Sequence, residues 1–346
     1  ADKYGPRRFV YFALGICSVT PILMTVAALT IGLWWVFIPI RILDGIAAAA
    51  LWPSMSALMN RAVPAHAKSS AMSVFNAAYV LGLAIGPTTG LLLGHKLGSN
   101  VWVFPFCAVM MALGAFVAVR SIPRSADNIH IEGESLDEER ALLKGRPMLW
   151  RMMAIYALSQ MGVGILAPTV PVYLEEHFHL LQADLPQLLI FPALLVAAIA
   201  IPLGRLPDTI GKAKAVWISY ILAAGGMILM ALTSLFEPTK GLFSLPLMMF
   251  GVGISAMIVS YILGTPAWLG LTSLQVDNTK QAQAMSLMQT AQGFGVVCAF
   301  VLVGSVGHLL TNNTNGENSL SLWFWLSSGI FTLCLIGTLL FVREVK

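Results

Sequence analysis

The sequence predicts an all-α polytopic membrane protein built from two related helical blocks. Three observations predict it. Hydrophobic residues make up 58% of the 346 and charged residues only 10%, against roughly 25% charged in soluble domains. The apolar residues fall into runs near the roughly 20 residues that a bilayer-crossing helix needs. One short loop also occurs twice, as Asp2-Lys3-Tyr4-Gly5-Pro6-Arg7-Arg8 and as Asp208-Thr209-Ile210-Gly211-Lys212-Ala213-Lys214. Each copy has Asp, then Gly three residues on, then two basic residues within the next three positions, and each leads into a long apolar run.

In chain order the runs lie at about 9–30, 34–59, 70–94, 101–120, 150–174, 185–203, 213–235, 243–268, 283–309 and 320–342. The first begins directly after Arg7-Arg8. Short joints with turn residues separate the next ones, Val63-Pro64-Ala65-His66 and Leu97-Gly98-Ser99-Asn100 among them. The stretch 121–149 differs, carrying Asp127, Glu132, Glu134, Asp137, Glu138, Glu139, Arg140, Lys144 and Arg146. It reads as a solvated linker. The expected organisation is therefore 1–120 as an N-terminal helical block, 121–149 as a cytoplasmic linker, and 150–346 as a C-terminal six-helix half. Two runs precede Asp208 in the second block and none precedes Asp2, so the expectation is ten spans of twelve in two pseudo-symmetric halves.

Basic residues set the orientation. With the first loop placed in the cytoplasm, only Lys96 and Lys240 of the 20 Lys and Arg fall outside, and Arg41 lies inside a run. Both chain ends and both Asp-Gly-basic loops are then cytoplasmic, in a plasma or inner membrane. The net charge of +4 is scattered at run ends, which does not point to nucleic acid. Cys17, Cys107, Cys298 and Cys334 sit inside apolar runs at spacings that fit no zinc or redox pattern. No nucleophile–base pair, metal cluster or phosphate loop is visible, so neither an enzyme nor a cofactor is expected.

Polar residues inside the runs are the candidate working parts. Arg41 and Asp44 are full charges within a span, each costing about 2.5–3.5 kcal/mol at a bilayer centre on insertion scales. Three residues apart, they share a helix face and can pair. They read either as coupling residues facing a water-filled path or as a structural ion pair near the outer interface. Gly82, Gly86 and Gly90 recur every four residues, a spacing that admits a neighbouring backbone, and Pro87 favours a kink. Asn76, Tyr79, Tyr156, Gln160, Tyr261, Gln289 and Gln292 also fall within runs. Each is read as a cargo contact or as an interhelical hydrogen bond. Trp34, Trp35, Trp102, Trp323 and Trp325 flank runs and read as interface anchors. His177 and His179 follow Glu175-Glu176, in a solvated loop or at a metal site.

These motifs together resemble the major facilitator superfamily. That family carries a Gly-x-x-x-Asp-x-x-Gly-basic-basic pattern between its second and third helices, matched here from Asp2 onward. A weaker copy between the eighth and ninth is matched by Gly204, Asp208, Gly211 and Lys212. Arg41-Ile42-Leu43-Asp44-Gly45 is similar to an Arg-x-x-x-Gly signature of the fourth helix, with Asp44 where Gln or a small residue is usual. Gly82 to Gly90 resembles the fifth-helix Gly-x-x-x-Gly-Pro-x-x-Gly-Gly signature of antiporters, with Leu91 in place of the last glycine.

The resemblance implies a secondary active transporter, most like the drug:proton antiporter branch, working by alternating access between two halves. It implies export of a small amphipathic or hydrophobic compound against protons, from a monomer in a lipid bilayer. Asp44 and Arg41 would couple protons. Asp2, Gly5, Arg7, Arg8, Asp208, Gly211 and Lys212 would form a cytoplasmic gate. Gln160, Tyr261, Tyr156, Asn76 and Gln292 would meet the cargo. A proton-coupled importer of a sugar or amino acid is the alternative within the class. A non-transporting receptor or assembly partner with the same fold is the alternative outside it.

Overall fold

The structure is a computed structural model. It describes residues 6–62, 75, 78–79, 81–82, 85–86, 89–90, 92–122, 147–180, 198–199, 202–203, 206–237, 244–276, 281–313 and 317–342. The long helices are α1 (Pro6–Thr30), α2 (Phe37–Ala62), α3 (Val103–Ser121), α4 (Pro147–Glu176), α5 (Lys212–Leu232), α6 (Leu245–Leu274), α7 (Gln281–Asn313) and α8 (Glu317–Phe341). Short 3-10 turns at Trp34–Val36, Asn100–Trp102 and Thr233–Leu235 adjoin them. The described residues of the 70–94 and 185–203 runs are also helical. Among the described residues, 7 helices are long and apolar enough to cross a membrane.

Helices are what a bilayer permits, because every backbone N–H and C=O must be satisfied within the segment. Hydroxyls obey the same constraint. Ser18, Thr30, Thr169, Ser255 and Thr338 each donate to the carbonyl four residues back, at 2.7 Å. Helix ends fall where the chain supplies a turn residue. The Ile31 and Gly32 amides both close on the Ala27 carbonyl at 3.0 Å, and Gly32 has φ +65°, a left-handed position that glycine takes without steric cost. Gly211, at φ +96°, caps the start of α5.

Contacts divide the chain into two compact units, one of residues 1–75 with 85–139 and the other of 76–84 with 140–346. In the first unit, α1 packs against both α2 and α3. Its buried residues Val10, Ala13, Thr20, Met24 and Ala27 form one stripe at helical spacing. Met24 and Ala27 meet Ile40 of α2, with Phe104 of α3 against them.

In the second unit, the contacts α4–α7–α6–α5–α8 and back to α4 make a closed ring of five helices. Glycines set its tightest crossings. A Cβ on Gly226 of α5 would lie 2.6 Å from the Gly253 carbonyl of α6, and one on Gly253 would lie 2.6 Å from the Gly226 carbonyl. A Cβ on Gly295 of α7 would fall 2.1 Å from the Ala157 carbonyl of α4. The fully buried side chains of this unit include Trp268, Tyr156, Tyr173, Phe250, Phe324 and Phe331.

Three sequence readings are corrected. Trp323 is 4% exposed and is core, because two residues' spacing turns it to a different helix face from the exposed Trp325. His177 is buried rather than in a solvated loop. Its Nε2–H donates to the Thr233 carbonyl at 3.2 Å and its ring stacks on Tyr173 at 4.9 Å. α6 runs to Leu274, so Trp268 lies inside a helix instead of at its edge.

Candidate functional site

The second unit holds a small recess between α4, α5, α6 and α8, open on one side, with a cavity volume of about 20 Å³. α4 contributes Tyr156 and Gln160, one helical turn apart and hence on one face. α6 contributes Tyr261 and Trp268, α5 contributes Tyr220, and α8 contributes Phe331. Gly264 of α6 allows the approach of α5, since a Cβ there would stand 2.7 Å from the Ser219 hydroxyl oxygen.

Two hydrogen-bonded groups shape the wall. The Tyr156 hydroxyl donates to Gln292 Oε1 at 3.2 Å, and Gln292 Nε2 donates to the Tyr261 hydroxyl oxygen at 3.4 Å. One amide of α7 thus ties α4 to α6. The Trp268 indole N–H donates to the Tyr220 hydroxyl oxygen at 2.7 Å, with the Tyr156 ring 5.9 Å from that indole. A polar-tipped aromatic buried in an apolar span needs such a partner. Interhelical hydrogen bonds in membranes contribute about 0.6 kcal/mol each on average, so these links position the rings more than they stabilise the fold. The Ser159 and Ser219 hydroxyls donate to the Tyr156 and Val216 carbonyls of their own helices, both at 2.7 Å.

The recess gathers Gln160, Tyr261 and Tyr156, with Gln292 bridging the two tyrosines. Asn76 lies outside the described residues. Sequence reasoning passed over Tyr220, Trp268 and Phe331. The signal that could have found the first two is a hydrogen-bonding tip within an apolar run.

The charged pair belongs to the first unit. Arg41 Nη1 lies 3.4 Å from Asp44 Oδ2, with side chains 66% and 27% exposed. The other Asp44 oxygen accepts the Thr20 hydroxyl, which ties the carboxylate to α1. Exposed pairs of this kind contribute about 0–1 kcal/mol in water, so Asp44 is held at least as firmly by α1 as by its own arginine.

The gate residues divide. Asp2 and Gly5 lie outside the described residues. Arg7 Nε donates to the Tyr11 hydroxyl at 2.6 Å and its guanidinium carbon sits 5.0 Å over that ring, while Arg8 is exposed. Asp208 is exposed and Gly211 makes the turn. Lys212 lays its aliphatic chain along α6, where a Cβ on Gly270 would be 2.8 Å from its Cε. Of the glycine motif, a Cβ added at Gly82 or Gly86 would meet nothing within 4 Å among the described residues, and Gly90 faces Val103. Pro87 lies outside the described residues.

A bundle of membrane-length helices around a neutral, aromatic-walled recess defines a polytopic carrier-type protein. The chain belongs to the Major Facilitator Superfamily, whose family model matches residues 1–297. It is an integral, multi-pass membrane transporter of that family. An uncharacterized MFS-type transporter of Methanocaldococcus jannaschii is 21% identical over 315 residues, 90% of this chain and 77% of its own. A probable anion transporter 3, chloroplastic, of Oryza sativa subsp. japonica is 23% identical over 239 residues, 60% of this chain and 44% of that one. Among solved structures, the human organic anion transporter MFSD10 (TETRAN) superposes with a TM-score of 0.70 at 16% identity, covering 96% of this chain and 77% of that one. At that identity the likeness carries the fold alone.

Proposed function

We propose that the protein exports a small amphipathic or hydrophobic compound by proton-coupled alternating access between its two halves. The observation that carries this reading is the recess of the second unit, where aromatic rings and neutral hydrogen-bonding groups converge in a transporter of this family. Apolar walls with a few placed polar groups are the usual make-up of a small-molecule site. Gln160, Tyr156 and Tyr261 meet the cargo, and Asn76 and Gln292 support the same surface.

Asp44 is the coupling carboxylate and Arg41 its counter-ion. Protonating Asp44 removes the charge that Arg41 faces, and so biases the equilibrium between conformations. The loops around Asp2, Gly5, Arg7, Arg8 and around Asp208, Gly211, Lys212 form the cytoplasmic gate. The Lys and Arg asymmetry supports cytoplasmic ends for the chain. The glycine motif at Gly82, Gly86, Pro87 and Gly90 supports the antiporter branch. The drug-exporter reading treats 1–120 and 150–346 as the moving halves, joined by 121–149, in a monomer.

A second reading, an organic-anion carrier, draws on the names of the rice and human relatives and on the exposed Arg41 guanidinium. One experiment tests the proposal and separates the two. The full chain is reconstituted in liposomes with an imposed pH gradient and screened with hydrophobic, neutral and anionic compounds. The expected result is gradient-driven movement of an uncharged or cationic amphipathic compound, abolished by Asp44→Asn while energy-independent counterflow survives. Uphill transport at the wild-type rate by Asp44→Asn overturns the coupling role.

A further inference from the structure

Residues 76–84 precede the linker in sequence, yet they belong to the second unit, while 1–75 and 85–139 belong to the first. The chain therefore crosses into the second unit and returns within one short segment, whose described residues are helical. Tyr79 ties that segment down. Its phenol is hydrogen-bonded to the Tyr261 hydroxyl of α6.

Tyr261 is a junction. It accepts from Gln292 Nε2 at 3.4 Å, and its hydroxyl also reaches Thr265 and Tyr79. Gln292 is held in turn by Tyr156, which is 2% exposed. The inner end of this chain of hydrogen bonds is thus fixed by α4, α6 and α7. The outer end is looser. Tyr79 is 37% exposed, and a Cβ on Gly82 or Gly86 would meet nothing within 4 Å among the described residues, so the segment has room to move. When Tyr79 leaves, Tyr261 keeps Thr265, one turn along its own helix. The departing phenol is partly exposed and is not stranded. Breaking this bond leaves no buried hydroxyl unsatisfied, which is the costly outcome. A contact that breaks at so small a cost suits an element with two arrangements of similar free energy.

We propose that Tyr79 is a conformational latch. Its hydrogen bond to Tyr261 holds the crossing segment on the second unit in one conformation of the transport cycle and releases it in the other. The proposal rests on the alternating-access reading, and it adds the residue pair whose bond sets the balance between the two conformations. Tyr79 acts here as a positioning residue and needs no contact with cargo.

The test is electron–electron double resonance on the purified full chain in nanodiscs. The chain carries Cys17→Ala, Cys107→Ala, Cys298→Ala and Cys334→Ala, with spin labels at Arg120→Cys in the first unit and Lys214→Cys in the second, both exposed positions. Two distance populations are expected. Tyr79→Phe changes their ratio by about threefold, the factor that an average interhelical hydrogen bond in a membrane supplies. Tyr261→Phe moves the ratio in the same direction, and Tyr79→Phe adds nothing on top of it, as a shared bond requires. Ser255→Ala, whose hydroxyl donates to the Gly251 carbonyl, leaves the ratio unchanged. If the cysteine-free chain does not fold, hydrogen exchange across 76–84 is measured for the same phenylalanine variants with the native cysteines in place. About threefold faster exchange is then expected, with the same lack of additivity. A single population, a ratio or exchange rate that Tyr79→Phe does not move, or a Tyr79→Phe effect that persists in full without the Tyr261 hydroxyl overturns the latch. Liposome transport is read separately. The expected shift without gradient-driven transport of any compound defeats the export reading alone, and transport with an unmoved ratio defeats the latch alone.

Discussion

The two units of this protein solve the problem of polar groups in an apolar setting in opposite ways. The first unit keeps a charged cluster, Arg41, Asp44 and Thr20, on thinly covered helices packed through small residues such as Ala13, Ala27 and Ala108. The second keeps neutral phenol, indole and amide groups inside a ring of helices packed through aromatic side chains. Burial follows the division in most helices: 22% and 6% of the apolar stretches of Arg7–Thr30 and Asn100–Ser121 are buried, against 39% to 50% in four helices of the second unit, with Ser286–Gly307 at 17% the exception. A charge needs access to water or a counter-ion, so it suits the open unit. A neutral hydrogen-bond network gains strength from exclusion of water, so it suits the closed one. The difference gives the proposed proton coupling and the proposed cargo reading different physical homes in one chain.

The largest effect is expected where the closed unit is tightest. Gly295→Leu places carbon atoms against the Ala157 carbonyl, forces α7 from α4, and carries Gln292 away from Tyr156. A loss of roughly 3 kcal/mol or more is expected, seen as a large drop in thermal unfolding temperature in detergent. An unfolding temperature near wild type would break the comparison, because the ring would then not depend on its close crossings.

Thr20→Val comes next. It strips a hydroxyl donor from the Asp44 carboxylate, at a cost of about 2 kcal/mol for a bond to a charged group. The pH dependence of liposome transport is expected to move while cargo affinity stays constant. A pure affinity change would erase the functional contrast between the units.

Tyr156→Phe makes the reciprocal test in the closed unit. It removes one donor from Gln292, costs about 0.6–1 kcal/mol, and is expected to weaken cargo binding severalfold with the pH profile unmoved. A shifted pH profile would place coupling in both units. The smallest effect belongs to Gly86→Ala in the open unit. An added methyl there meets nothing within 4 Å among the described residues, and alanine favours the helix by up to about 1 kcal/mol. Unfolding temperature is expected to hold or rise slightly, and a marked fall would show that this face meets a close neighbour in another conformation.

How much of this was legible depended on whether the determinant was local. Tyr156 and Gln160 stood out as polar residues within one apolar run, and their spacing alone placed them on one face. Arg41 and Asp44 paired on the same reasoning. Tyr220 and Trp268 were passed over because each, read singly, is an ordinary core aromatic. Their partnership spans α5 and α6 and leaves no trace in either helix. The glycines show the same limit. The repeat at Gly82, Gly86 and Gly90 is visible in the sequence; among the described residues, the backbone-to-backbone crossings at Gly226, Gly253 and Gly295 follow no repeat.

The amino-acid sequence by itself determined the class of this protein, its helical runs and the loops that punctuate them. It could do so because helix hydrogen bonds close within four residues and a bilayer demands that they close. Tertiary structure decided which faces are core, which hydroxyls reach a neighbouring helix and which glycines let two backbones meet. The physical reason is that lipid tails are as apolar as a protein interior. A spanning helix is therefore apolar all round, and no periodic pattern marks the side that will meet its partners.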